Sequence, residues 1–202
     1  MIKRKRKSRS KRVAWNKGVQ TGRKLPLNLK QIDSIRSRLK SAHKIRQLAL
    51  FNLAIDSSLN AFDLVELRVR DIAKAGRILP RATVVPHESQ RPVQFEIAKE
   101  ARHSLSALIA HEKLKPGQYL FTSRLHASRR LSTRQYARLV TSWVSAIGLD
   151  ASLYGTQSLR RTKPALIFRR TKSLLAAHLL LGHSRLRSAA RFLGIEGWRR
   201  YT

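Results

Sequence analysis

Arg160 and His183 are the two side chains in the C-terminal quarter whose type and placement suit anion chemistry. An arginine presents a rigid fork of donors to phosphate oxygens, and a histidine donates hydrogen bonds and titrates near neutral pH. Both stand at the edges of apolar helical patterns within Tyr154 to Glu196. Leu166, Ile167 and Phe168 sit in the first pattern. Leu174, Leu175, Leu179 and Leu180 mark one face of the second, which Gly182 is expected to stop as a left-handed cap. Each residue also has a plain reading: a surface arginine on a basic helix, and a histidine that merely caps its own helix. His178 reads as a packed or half-exposed histidine. The run Arg160, Arg161, Lys163, Arg169, Arg170, Lys172 spans more than one helical face, so only part of it can meet one ligand.

Composition narrows the ligand. The 202 residues hold 43 Lys+Arg against 11 Asp+Glu, a formal charge of +32. Such a surplus repels itself in the folded state unless a polyanion neutralises it, which argues against an enzyme of small metabolites. Nucleic acid is the expected partner, well ahead of an anionic membrane surface. There are no cysteines, so neither a disulfide framework nor a thiolate zinc site can form. No apolar run has the length of a transmembrane span, and no apolar segment follows the N-terminal charges as a secretory signal requires. The expectation is a cytoplasmic, nucleoid-associated protein from a bacterial or phage-type context, with no cofactor, metal, membrane or small-molecule substrate.

The chain divides into a basic arm, 1–27, and one domain, 28–202. The arm opens with eight basic residues in its first twelve, without apolar periodicity, and is expected to be disordered and to bind phosphates through Lys3, Arg4, Lys5, Arg6 and Lys7. A solubilising tail or an import-like run is the plain alternative, and Trp15 suits either base stacking or docking on the domain. Asn28 is a fair cap for a helix with Leu29, Ile32, Ile35 and Leu39 at helical spacing. A second helix is expected over Lys44 to Ile55 and a third from Ala61. The period then switches to two: Arg68–Ile72, Ala82–Val85 and Val93–Ile97 read as a three-stranded antiparallel sheet. Helices follow at 98–113 and 132–147, the latter capped by Ser132 and ended by Gly148.

The order of these parts resembles the catalytic domain of the tyrosine recombinase (phage integrase) family over roughly 30–196. That implies a mostly α fold with a small three-stranded antiparallel β-sheet. The family pattern T-G-L-R-x-x-E-L-x-x-L-R-x-x-D is matched by Ser57 to Asp71, with Asn60 at the first catalytic arginine. The family lysine, in a turn ahead of R-P-V, is matched by Glu88, with His87 or Arg91 as shifted candidates. H-x-x-R reads Gln157-Ser158-Leu159-Arg160, L-L-G-H reads Leu180-Leu181-Gly182-His183, and the nucleophilic tyrosine nine residues later is Phe192. Two further departures are Pro164, expected to kink its helix by removing the bond to the Arg160 carbonyl, and the want of the family's separate N-terminal clamp domain, for which 1–27 is the only counterpart. The end, 197–202, is short for the helix that family members often exchange between subunits.

The family's chemistry is attack of a phenol oxygen on a DNA phosphodiester, with arginines and histidines neutralising the non-bridging oxygens and lysine protonating the leaving oxygen. Phenylalanine supplies no oxygen, asparagine no charge, and glutamate repels phosphate. The resemblance therefore implies a phosphate cradle, kept by Arg160, His183, Arg161 and Lys163, without the reaction: a duplex-DNA binder with an accessory, regulatory or competitor role on a mobile element. An intact recombinase or a second copy are the candidate protein partners. The rival readings are a working integrase using Tyr201 or a partner's tyrosine, an RNA- or ribosome-associated basic protein, and a decayed gene product. Tyr119, Tyr136 and Tyr154 read as structural.

Overall fold

A computed structural model describes residues 23–87, 90–123, 130–181, 185–195 and 197. The N-terminal basic run with Trp15, Glu88, Gly182, His183 and Tyr201 lie outside the described residues. Helix α1, Leu29–Ser41, begins at a full capping box: Asn28 Oδ1 accepts from Gln31 N (2.9 Å) and Gln31 Oε1 accepts from Asn28 N (2.9 Å). Its Ile32, Ile35 and Leu39 face inward, as their spacing requires. Helix α2, Ile45–Ser57, is the centre of the fold, buried on every side from Ala49 onward. Such a helix needs apolar residues nearly all round, and of its buried polar residues Asn52 is satisfied by Arg36 Nε (2.8 Å) and Ser104 Oγ (3.1 Å).

Around α2 pack α1, helix α5 (Lys99–Glu112) and helix α7 (Thr156–Thr171). Helix α6, Thr133–Ala146, opens on the Ser132 capping box and sets the Trp143 ring edge-on to Phe51 at 5.5 Å. Phe51 is fully buried. Phe51→Ala is expected to cost about 3–5 kcal/mol, read as a lowered denaturation midpoint, because the lost contacts leave a cavity that the packed helices cannot close.

The sheet differs from the three-stranded expectation. Arg68–Ile72 is not a strand: helix α3 (Ala61–Glu66) is followed by a single helical turn, α4 (Val69–Ile72). Asp71 decides this, its Oδ2 accepting from Arg68 N at 2.7 Å and closing the turn. Two separate antiparallel pairs remain: β1 (Ala73–Lys74) with β2 (Arg77–Ile78), and β3 (Arg81–Val84) with β4 (Val93–Glu96). Their alternation is clear in β4, where Val93 and Phe95 are buried and Gln94 and Glu96 exposed.

The last elements are α7, helix α8 (Leu174–Leu181) and helix α9 (Leu186–Leu193). Helix α7 runs unbroken through Pro164, which is buried, so the proline removes a bond without ending the helix. The face assigned to α8 is also corrected. Leu174, Ala177 and Leu181 are its buried residues, whereas Leu175 and Leu179 are 56% and 67% exposed. In a pattern as uniformly apolar as LLAAHLLL, hydrophobicity alone selects no face.

Candidate functional site

Two half-sites emerge. The first lies at the start of α3. Asn60 is that helix's cap: its Oδ1 accepts from Asp63 N (2.9 Å) and its Nδ2 donates to Asp63 Oδ2 (2.6 Å). The other Asp63 oxygen accepts from His87 N at 2.9 Å, and the His87 ring lies 5.5 Å from Phe62. Asp63 thus ties the position of the family's first arginine to the hairpin turn where its lysine belongs. The two Asn60–Asp63 hydrogen bonds are local, and the His87–Asp63 one joins segments 24 residues apart. Asn60 works as a cap, a role the sequence signals by an asparagine three residues ahead of an aspartate.

The second half-site lies between α7 and α9. Arg160 and Arg161, adjacent on α7, both stand over the Phe192 ring, their guanidinium carbons 5.3 and 4.5 Å from its centroid. A cation on an aromatic face is held by the ring quadrupole. Arg160 Nη2 also donates to Leu181 O (3.5 Å), at the end of α8 two residues before His183. Gln157 is exposed in the first turn of α7.

Arg161 is 9% exposed, and its Nη1 donates to Lys24 O at 2.7 Å. Beside it Thr162 Oγ1 accepts from Leu27 N (3.1 Å), and Leu25 N donates to Leu153 O (2.9 Å). Leu27 is fully buried. Residues 23–27, assigned to the arm on composition, therefore form a strap fastened to α7. Burial, and next the charge of Arg23, depress the Arg161 pKa below the ordinary guanidinium value.

Lys163 ties α7 to the ends of α2 and β4. Its Nζ donates to Asp56 O and Glu96 O (3.2 Å each) and lies 3.8 Å from Asp56 Oδ1. This points the ammonium at the ends of α2 and β4 rather than at the Phe192 ring. Burial raises the Asp56 pKa, against the lowering influence of Lys163. Removing one partner of a buried pair leaves a charge uncompensated. Lys163→Ala is accordingly expected to destabilise the domain by about 3 kcal/mol, measured as a fall in denaturation midpoint, with DNA affinity little changed.

The described tyrosines are structural. Tyr136 is buried, and burial alone drives its hydroxyl pKa upward. Tyr119 lies under the Arg68 guanidinium at 4.4 Å, and Tyr154 Oη accepts from Gln31 Nε2 at 3.4 Å. No group of three or more potential metal ligands occurs among the described residues.

What the sequence reading missed is the gathering of Arg23, Arg185, Arg187 and Arg191 beside Arg161 and Phe192. Arg23, Arg161, Arg185, Arg187, Ser188, Arg191 and Phe192 line a cleft of ≈ 610 Å³. The available signal was the four-residue spacing of Arg187 and Arg191, which puts both on one face of α9.

A helical domain with two small antiparallel pairs, and the arginine of α7 set against the ring nine residues past the Leu-Leu-Gly-His run, is the tyrosine recombinase catalytic fold. The phage integrase family profile matches residues 26–195, and the chain belongs to that family, in the context of DNA recombination. It is 25% identical over 176 residues to the "Probable integrase/recombinase YoeC" of Bacillus subtilis (strain 168), covering 84% of this chain and 88% of that protein. Its fold is similar to that of the XerA recombinase, with a TM-score of 0.70 at 15% identity over 86% of this chain and 59% of XerA. It is also similar to the Tn1549 transposon integrase in complex with transposon right end DNA, with a TM-score of 0.68 at 14% identity over 86% of this chain and 62% of that one. The chain thus spans about three-fifths of these solved recombinases.

Proposed function

We propose that this chain is a DNA-binding member of the integrase family that does not itself cut or join DNA. Its role on that reading is accessory or regulatory, on the DNA of a mobile element. The observation that carries the reading is Phe192: at the position that the sequence resemblance gives the nucleophile stands a ring against Arg160 and Arg161, and it has no oxygen with which to attack phosphorus. The capping duty of Asn60 supports it, since a side chain bound to its own helix turn adds no charge to a phosphate. DNA binding is supported by the +32 charge and by structural relatives described as bound to DNA, among them the Tn1549 integrase and a lambda integrase dimer on a core site. A cytoplasmic place on DNA fits the finding that no helix among the described residues is long and apolar enough to cross a membrane.

A nicked suicide duplex tests both halves of the reading. The unmodified chain is expected to shift the duplex in a gel at low salt and to leave no protein attached after denaturation. A covalent adduct that disappears in Tyr201→Phe would overturn the inactive half. Failure to shift any duplex at low salt would overturn the binding half.

A further inference from the structure

We infer that the cleft between Arg23 and α9, which adjoins the family cradle at Arg160 and shares Arg161 with it, is a further anion site that takes a run of phosphates. The lining is the first observation. Basic residues make up 43 of 202 in the chain, whereas five of the seven described residues around this cleft are arginines and none of the seven is acidic. Among the described residues, no carboxylate lies within ion-pair distance of any of the five. Elsewhere the fold does pair its arginines, as Arg130 with Glu66 and Arg81 with Glu96.

The second observation is how the cleft's floor is built. Arg161 is nine-tenths buried, lies against Phe192, and has an Nε with no hydrogen-bond partner among the described residues. A buried guanidinium beside other cations is costly unless an anion neutralises it. Arg23 lines the opposite wall, its Nη1 reaching toward Gly194. Gly194 has φ +78° as the left-handed cap of α9, a backbone conformation that favours glycine at the edge of the cleft. Arg187 and Arg191, one turn apart on α9, repel each other, a helical spacing that by itself destabilises. Their common face makes sense when a polyanion bridges them.

The chemistry of the lining selects phosphate. Guanidinium forks match phosphate oxygens in bidentate pairs. Five such groups around ≈ 610 Å³ call for several adjacent negative charges rather than one. The source of those phosphates is either the backbone of a nucleic-acid strand or a free polyphosphate. The strand assignment rests on the DNA-binding reading; the phosphate assignment does not.

The test is calorimetric titration of the full chain with inorganic tripolyphosphate, comparing two double variants of equal charge loss. Arg187→Gln/Arg191→Gln removes two walls of the cleft. Arg134→Gln/Arg138→Gln removes two exposed arginines of the same spacing on α6. The cleft variant is expected to bind tripolyphosphate about tenfold more weakly or worse, and the α6 variant within about twofold of the parent. Equal losses in the two would reduce the cleft to general surface charge and overturn the proposal. So would undiminished binding in the cleft variant, or displacement of tripolyphosphate by polyglutamate at equal charge. A loss of duplex affinity confined to the cleft variant assigns the site to a nucleic-acid backbone; unchanged duplex affinity alongside weakened tripolyphosphate assigns it to a free polyphosphate. Because the tripolyphosphate arm contains no DNA, it stands even if the chain proves not to bind duplex.

Discussion

Phe192→Tyr alone is expected to leave covalent trapping on a nicked suicide duplex at background, while Phe192→Tyr, Asn60→Arg, Glu88→Lys and Gln157→His together restore it. The single change does put a hydroxyl on a ring already held by Arg160 and Arg161 at 5.3 and 4.5 Å, and two nearby cations favour the ionised phenol. A nucleophile is then in place. What is still missing is neutralisation of the charge that builds on the phosphate and a proton for the leaving oxygen. Each donor aimed at developing charge is worth about 10²–10³ in rate, so three absent groups hold the reaction below detection. Groups that act as a unit do not recover additively. The restored chain should also be less stable, because Asn60 is the cap of α3; replacing a cap costs about 0.5–2 kcal/mol. That is a small part of the roughly 5–15 kcal/mol typical of a domain, so the combined variant is expected to fold. Strong trapping by Phe192→Tyr alone would mean that Arg160 and its surroundings suffice for the chemistry, and that Asn60 and Glu88 do not matter to it.

The parts of this molecule that were legible in the sequence are those that local chemistry fixes. Asn28 and Ser132 cap helices because an oxygen-bearing side chain satisfies the free amides of a first turn, and that pattern is short-range. The pairing of Arg160 with position 192 was legible only through the resemblance, since 32 residues of chain separate them and no periodicity relates α7 to α9. Arg68–Ile72 went astray for a local reason: alternating residue types suggested a strand, while Asp71 closed a turn through its side chain. Lys163 shows the opposite limit. In sequence it is one of a run of cations on α7, and only packing against α2 and β4 turns it toward Asp56. The arginine cleft is beyond sequence reasoning for the same cause, because its walls come from the strap, α7 and α9.

Affinity for duplex DNA is expected to fall by about 10³–10⁵ between 50 and 200 mM salt, as it does when roughly 6–10 phosphates are neutralised and their counterions released. The strap decides how the arm's share should be measured. Deleting 1–27 would remove Leu27 from the core along with the partners of Arg161 and Thr162, and a lost fold would imitate a lost contact. The informative deletion is 1–22, which ends before the strap. Those residues carry nine lysines and arginines. With about four phosphate contacts supplied by them, removal lowers the slope of log K against log salt by about 3.6. The denaturation midpoint should stay where it was, because every strap contact is retained. Non-specific duplexes should respond as specific ones do, since contacts to phosphate carry no sequence information. An unchanged slope at an unchanged midpoint would place all the phosphate contacts on residues 23–202.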